Sequence, residues 1–449
     1  MTTQIKKEID LGLEGNSLDY MDPSELHEKV ERVRIVSQLE WINERSQFYQ
    51  NHIGKKELTA ASKAGSVTEL PFTTKMDLLT DQKNYPPFGS NVCVELNEIN
   101  RVHKTSGTTS KPLTILLTKR DIKDAVNSGG RAFQAAGLKP DDIVAHCLNY
   151  CMWSGGLTDH QCLEATGASV VPYGVGNSNA LIEMIISLGI TAIHCTPSYL
   201  TKLWDIVTVE FGLNPKDLPL KLGLFGAEPG LQYPGKRARI EQDWGIKAMN
   251  ANYGLSEVLS IMGSECEARD GFHLMVGGSL FVELHDFSSD KNVPLESGAI
   301  GELVLTNIFK ETQPLIRYRT GDTIEVVGTN PCICGRRGLR INVKGRSDDM
   351  IVVGGVNVFP SAIEAVLSEF LGQLNGEFQI IIKTPPPHDS LFLKAEHRLD
   401  LNKALLKQLK LNLEKVFRNK LGFRPIIEFL NEGSLPRVKG KTQRVKKIY

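Results

Sequence analysis

The sequence predicts an α/β protein. A large N-terminal region of doubly wound sheet, carrying a small β-rich subdomain, precedes a compact α+β domain at the C-terminal end. Three observations predict this. Between residues 142 and 226, short apolar runs alternate with helix-length stretches, as parallel sheet requires. From about Phe272 the runs shorten and glycines punctuate them. After the charged, glycine-led segment Gly345-Arg346-Ser347-Asp348-Asp349, strand and helix patterns alternate again. The expected boundaries are 1–345 for the N-terminal region, with its β-rich part at about 265–345, and 346–449 for the C-terminal domain.

Each element has its own signal. Residues 23–53 read as helix: Ser24 is a cap, and Leu26, Val30, Val33, Val36, Leu39 and Ile42 recur every three or four positions. Residues 142–148, 168–172, 190–195 and 220–225 read as strands, with 180–188 helical between the second and third. Residues 301–307 and 322–327 are short strands of the β-rich part. In the C-terminal domain, 348–353 and 378–383 read as strands, 360–370 as helix, and 403–417 as an amphipathic helix.

Composition narrows the function classes. Of 449 residues, 41% are hydrophobic and 23% charged, ordinary for a soluble globular chain of two or three domains. Lys plus Arg and Asp plus Glu both number 52, which argues against a nucleic-acid binder. The N-terminus has no apolar signal region, and no apolar run is long enough to span a bilayer. A cytoplasmic location is expected, and the eight cysteines are then thiols or metal ligands.

The chemistry-bearing segments begin with Lys104-Thr105-Ser106-Gly107-Thr108-Thr109-Ser110-Lys111-Pro112. Its hydroxyls, backbone N–H groups and cation suit a polyphosphate, and it lacks the Walker spacing. Gly226-Ala227-Glu228-Pro229 is a small-residue turn after a predicted strand, the place where α/β sheets bind ligands. Asn252-Tyr253-Gly254-Leu255-Ser256-Glu257 offers a ring for a purine, a hydroxyl for a phosphate and a carboxylate for Mg²⁺. Leu315-Ile316-Arg317-Tyr318-Arg319-Thr320-Gly321-Asp322 ends in a carboxylate that can accept ribose hydroxyls. Gly440-Lys441-Thr442 lies in a basic tail. Each segment alone also reads as ordinary structure: a polar turn, a core aromatic, a solvated lysine.

In this order the segments resemble the adenylate-forming superfamily, and within it the phenylacetate-CoA ligases. The resemblance runs from Gln47-Phe48-Tyr49 and Leu70-Pro71-Phe72-Thr73-Thr74-Lys75 to Lys441, and includes Gly345-Arg346-Ser347-Asp348-Asp349-Met350 and Gly355-Val356-Asn357-Val358-Phe359-Pro360. It implies a mobile C-terminal domain and a two-step, AMP-forming ligation of a carboxylic acid to coenzyme A through an acyl-adenylate. The acid it implies is phenylacetate or a similar small aryl or short-chain acid. Lys441, Glu257 and Thr108 become catalytic, with Mg²⁺ on Glu257. Thr105, Ser106, Gly107, Thr108, Thr109 and Lys111 wrap the ATP phosphates. Ala227, Glu228, Pro229 and Tyr253 surround adenine, Asn252, Gly254 and Ser256 join them in binding the nucleotide, and Asp322 and Arg346 hold the ribose. Asp348 is the hinge, and Gly354 and Gly355 approach the pantetheine arm. Two departures stand out: Ser110 where the family loop usually has Gly, and Gly354 where relatives often carry Arg or Lys. Transfer to a carrier protein or an amine is the alternative second step, and a homodimer is left open.

Asn149-Tyr150-Cys151-Met152-Trp153-Ser154-Gly155-Gly156 aligns with the family's acid pocket, with Tyr150, Trp153 and Gly155 as candidate walls. Thr196-Pro197-Ser198-Tyr199 is a second candidate lining. Finally, Cys332-Ile333-Cys334-Gly335 is a turn with two thiols, and Cys266 and His273 lie upstream. Together they form a Cys₃His set suited to structural zinc, with His285 a lesser substitute; the alternative is unrelated buried thiols.

Overall fold

The computed structural model describes residues 15–105, 112–228, 231, 234–347, 351–353, 356–384, 388, 390–398, 401–436 and 444–448. These divide into two compact units. The first comprises the described residues up to Gly226, together with Met249–Thr320 and Ile324–Asn342. The second comprises Ala227–Ala248, Gly321–Thr323 and the described residues from Val343 onward.

The first unit opens with the expected helical segment: Pro23–Leu26, a π turn at His27–Glu31, α1 (Arg32–Arg45) and α2 (Gln47–His52). Its cap is Asp22 rather than Ser24. Pro23 takes the first helical position, where a missing N–H does no harm, so Asp22 Oδ1 accepts the Ser24 backbone N–H at 3.0 Å. Helices α3 (Lys55–Ala64) and α4 (Lys75–Asn84) follow, the latter held by a Thr74/Asp77 capping box. β1 (Arg101–Lys104) and β2 (Thr114–Leu117) form an antiparallel pair with Lys104 opposite Thr114. The candidate phosphate loop therefore joins two paired strands.

Next comes α5 (Lys119–Ala135), which starts at a Thr118/Asp121 capping box. The parallel strands β3 (Ile143–His146), β4 (Ser169–Val171), β5 (Ala192–Cys195) and β6 (Leu222–Gly226) alternate with α6 (Ser154–Glu164), α7 (Ser178–Leu188) and α8 (Pro197–Asp205). α5 and α6 approach closely because Gly129 has no side chain; a Cβ there would lie 2.4 Å from Cys162 Sγ. The core between helices and sheet gathers Phe133, Val144, Leu163, Leu224, Met249 and Ile261.

β3 pairs with β4 on one side and β5 on the other, both parallel, and β5 pairs with β6. The chain thus winds one way from β3 and then the other, which makes the carboxyl ends of β3 and β5 a switch point, where open α/β sheets bind ligands. α9 (Pro234–Trp244), a member of the second unit, lies in sequence between β6 and β7 (Lys247–Leu255). The β-rich stretch expected from residue 265 is the antiparallel part of the same sheet. Its strands are β8 (Leu259–Ser264), β9 (Phe272–Leu274), β10 (Leu280–Asp286), β11 (Lys291–Val293), β12 (Ile300–Asn307), β13 (Tyr318–Gly328) and β14 (Arg340–Arg346). The full order is β11-β10-β12-β13-β14-β9-β8-β7-β6-β5-β3-β4.

The second unit contains the β15 (Ile351–Val353) and β16 (Val356–Val358) pair, α10 (Pro360–Ser368), β17 (Leu374–Ile382), β18 (Phe392–His397), α11 (Lys403–Leu421), β19 (Ile426–Asn431) and β20 (Val445–Lys447). Its four-stranded sheet runs β19-β18-β17-β20 over a core that includes Ile363, Phe378, Leu393, Leu413 and Phe417. α11 runs past residue 417 until Gly422 stops it at φ 77°. Among the described residues no helix is long and apolar enough to cross a membrane.

Candidate active site

Two loops leave the switch point of the first unit. One, after β3, carries Asn149–Gly156; the other, after β5, carries Thr196–Tyr199. Beneath them His146 and His194 are fully buried on neighbouring strands. His146 Nε2 donates to the Gly156 carbonyl at 2.9 Å, so its Nδ1 must accept, and it takes the Nδ1–H of His194 at 2.9 Å. Burial pushes the His146 pKa down to about 4 and that of His194 well below the usual range, so both rings are neutral.

Tyr150 is more constrained than a bare pocket wall. Its hydroxyl hydrogen-bonds His160 Nδ1 at 2.9 Å, its ring stands edge-on to His146, and a Cβ on Gly174 would lie 3.3 Å from it. Trp153 is half-buried at the N-cap of α6, and Gly155 follows in its first turn. Met152 adopts φ 61°, a strained conformation for a side chain of its size. Its carbonyl accepts the Lys104 N–H at 2.9 Å and the His103 Nδ1–H at 3.2 Å. The Asn149–Gly156 segment is thereby tied to the last residue of β1.

One residue on, Thr105 closes the neck of the candidate phosphate loop: its N–H donates to the Leu113 carbonyl at 3.0 Å and its Oγ1 accepts the Leu113 N–H at 2.9 Å. Ser106, Gly107, Thr108, Thr109, Ser110 and Lys111 lie outside the described residues.

The Asn252–Glu257 segment ends β7 and turns into β8. Its glycine is obligatory, since a Cβ on Gly254 would sit 1.9 Å from the Ser260 carbonyl oxygen. Asn252 Nδ2 donates to Asp159 Oδ2 at 2.6 Å, and Ser260 donates to Asp159 Oδ1 at 2.7 Å. Burial pushes Asp159 up to about 7, against the pull of those two donors. Tyr253 is half-buried beside Phe272, ring centroids 5.6 Å apart. Ser256 shares a 2.6 Å hydrogen bond with Ser154 at the start of α6. Glu257 is buried, with Tyr318 Oη donating to its Oε1 at 2.9 Å and Lys75 Nζ 3.8 Å from the same oxygen.

Tyr318 is fixed in turn by the Leu70–Lys75 motif. The Thr73 N–H donates to the Arg317 carbonyl, and the Arg319 N–H donates back to Thr73, so the two motifs run side by side. Arg317, at φ 44°, pairs with Glu283 through Nη2 at 3.0 Å and is buried, which makes it a structural ion pair. Asp159 and Tyr318 are the site residues that sequence reasoning missed. Tyr318 stood inside a recognised motif without a role. Asp159 carries no pattern, because a single buried carboxylate on a helix has no periodic signal.

In the second unit, Arg346 Nη1 donates to Asp322 Oδ1 at 3.1 Å. Gly321, just before Asp322 in β13, has φ 76°, and a Cβ there would lie 2.7 Å from Arg346 Nη2. Ala227 holds φ 63°, a left-handed turn that costs a non-glycine residue about 1 kcal/mol or more. Glu228 follows it. Pro229, Asp348, Gly354, Gly355 and Lys441 lie outside the described residues.

Away from these segments, Cys266, His273, Cys332 and Cys334 converge: one ligand atom from each lies within 4.8 Å of all the others. Cys266 Sγ is 3.7 Å from Cys332 Sγ, and Cys334 Sγ is 3.6 Å from His273 Nε2. Gly335, at φ 87°, closes the Cys-x-Cys turn by donating its N–H to the Cys332 carbonyl at 2.8 Å. His285, the lesser candidate, hydrogen-bonds Asn292 instead, at 2.8 Å.

The sequence profile of AMP-binding enzymes matches residues 32–308, and that of the AMP-binding enzyme C-terminal domain matches 355–447. The chain belongs to the AMP-binding enzyme family. It is 33% identical over 382 residues to a phenylacetate-coenzyme A ligase of Thermus thermophilus, covering 83% of this chain and 82% of that one. It is 34% identical to the phenylacetate-coenzyme A ligase of Escherichia coli, covering 84% of each. Among solved structures, a 2-hydroxyisobutyryl-CoA ligase in complex with R3-HIB-AMP superposes with TM-score 0.86 at 27% identity, covering 96% of this chain and 91% of that one. The protein is thus an AMP-forming acid–CoA ligase of the adenylate-forming superfamily, and ATP, coenzyme A and a carboxylic acid are its reactants. In this ligase the family's large α/β part and small α+β part are both present.

Proposed function

We propose that this ligase activates phenylacetate or a closely similar small aryl or short-chain acid. The observation that carries the reading is the switch point. Tyr150, Trp153 and Gly155 leave one strand and Thr196–Tyr199 the next, so both loops stand at the end of the sheet where a ligand binds. The carboxylate attacks the α-phosphorus of ATP, pyrophosphate leaves, and the thiol of coenzyme A then attacks the acyl carbon and releases AMP. Catalysis of the first step is positioning plus charge stabilisation. Glu257, pinned by Tyr318, would hold Mg²⁺. Lys441 bridges carboxylate and α-phosphate, the 105–111 loop wraps the outer phosphates, and Asp322 with Arg346 receives the ribose. The Ala227–Pro229 turn and Tyr253 flank the adenine, Asp348 serves as hinge, and Gly354 and Gly355 leave room for pantetheine.

The same reading divides the chain at about residue 345 into an adenylating part and a mobile part. Cys266, His273, Cys332 and Cys334 would hold a structural zinc: three thiols and a neutral imidazole, drawn from β9, the turn after β8 and the knuckle before β14, fill a tetrahedral set. A panel of aryl and short-chain acids assayed for CoA-dependent release of pyrophosphate and AMP tests the substrate reading. Phenylacetate should rank among the best, and a ligase that ignores every aryl acid would refute it.

A further inference from the structure

Lys310 lies in the segment after β12, buried, and no part of the proposed chemistry uses it. Its backbone is clamped on both sides: the Lys310 N–H donates to Gln38 Oε1 at 2.9 Å, and Gln38 Nε2 donates to the Lys310 carbonyl at 2.9 Å. The next two residues are fixed as well. Glu311 and Thr312 donate their N–H groups to Asp121 at 2.7 and 3.2 Å. This frame aims the side chain, whose Nζ donates to the backbone carbonyl of Glu257 at 2.7 Å. Glu257 is therefore held at two points, its carbonyl by Lys310 and its carboxylate by Tyr318. Lys310 also lines a small cleft with Ser154, Ser256, Ser260 and Asn307, beside the turn that carries Ser256 and Glu257.

A buried ammonium is costly to desolvate, and Asp121, Glu257 and Asp124 offset that cost here, so removing the lysine alone leaves buried carboxylates uncompensated. Charge balance accounts for a cation here, and the aimed hydrogen bond to the Glu257 carbonyl adds a positional contact. We infer that Lys310 is a positioning residue for adenylation, fixing the Glu257 turn from below so that its carboxylate is presented to Mg²⁺. The inference rests on the reading of Glu257 as the Mg²⁺ residue. The second half-reaction, attack of thiol on acyl-adenylate, has no use for that carboxylate and should not feel Lys310.

The test is Mg²⁺ titration of ATP–pyrophosphate exchange in full-length Lys310→Met, beside thiolysis of supplied acyl-adenylate. The Mg²⁺ midpoint should rise about tenfold, while thiolysis stays within about threefold of the parent. Lys310→Gln, which keeps a donor without the charge, should shift the midpoint in the same direction by less, and it serves if the methionine variant does not fold. An unchanged midpoint, or equal loss of both half-reactions, overturns the inference. Glu257→Gln separates the two layers. If it too leaves the midpoint unmoved, the reading of Glu257 fails and takes the inference with it; if it shifts the midpoint while the Lys310 variants do not, the inference fails alone.

Discussion

His146 and His194 stack face to face, ring centroids 4.9 Å apart and 13° from parallel, with one Nδ1 proton between them. This pair makes the first unit acid-sensitive. Both rings have pKa values held below the free value, so the unfolded chain binds more protons in that window, and stability must fall with falling pH. For His146 the window runs from 6.5 to about 4 and is worth on the order of 3 kcal/mol. Denaturant unfolding followed between neutral pH and pH 4 should show the loss, and His146→Gln should flatten the slope. Part of the slope should remain, because burial also holds His194 below the free value, and a slope unchanged by this substitution would assign the acid sensitivity elsewhere.

Lys441→Ala should lower pyrophosphate exchange by about 100-fold or more, because a cation at developing charge on phosphorus is among the larger catalytic contributions. Thiolysis of supplied acyl-adenylate should persist. Parallel loss of both halves would remove Lys441 from the first step.

Zinc should copurify at one ion per chain. Cys332→Ser should abolish it and lower the first thermal transition by about 5 °C, since a metal that binds only the folded protein stabilises it. Metal-free protein of undiminished stability would reduce the four residues to packing.

Gly321→Ala places a Cβ against Arg346 at a backbone angle disfavoured for side chains. The Michaelis constant for ATP should rise about tenfold while that for the acid changes little, as steady-state kinetics with each substrate varied will read. A change confined to the acid would contradict a ribose role for Asp322 and Arg346.

The chain's punctuation made much of this legible. The runs at 142–148, 168–172, 190–195 and 220–225 are all strands, because buried parallel strands are short, apolar and bounded by turns. The single 12-stranded sheet was not legible, since local pattern carries no information about which edges join. Capping at Asp22 rather than Ser24 depended on Pro23. In the site, Glu257 and Tyr253 were named by motif, but Asp159, Tyr318 and Lys310 gain their places only from partners roughly 50 to 100 residues away. The Cys₃His convergence was visible because thiols and imidazole are few enough to be matched by type alone.

One hydrogen-bond acceptor, the Met152 carbonyl, anchors both β1 and the loop that carries Tyr150 and Trp153. Under the proposed function, enlarging that loop to admit bulkier acids would tug on the strand feeding the proposed nucleotide loop. Evolution or engineering of acid preference in this enzyme should therefore exact a toll in ATP saturation, and broadened variants should recover only when a second change re-anchors Lys104.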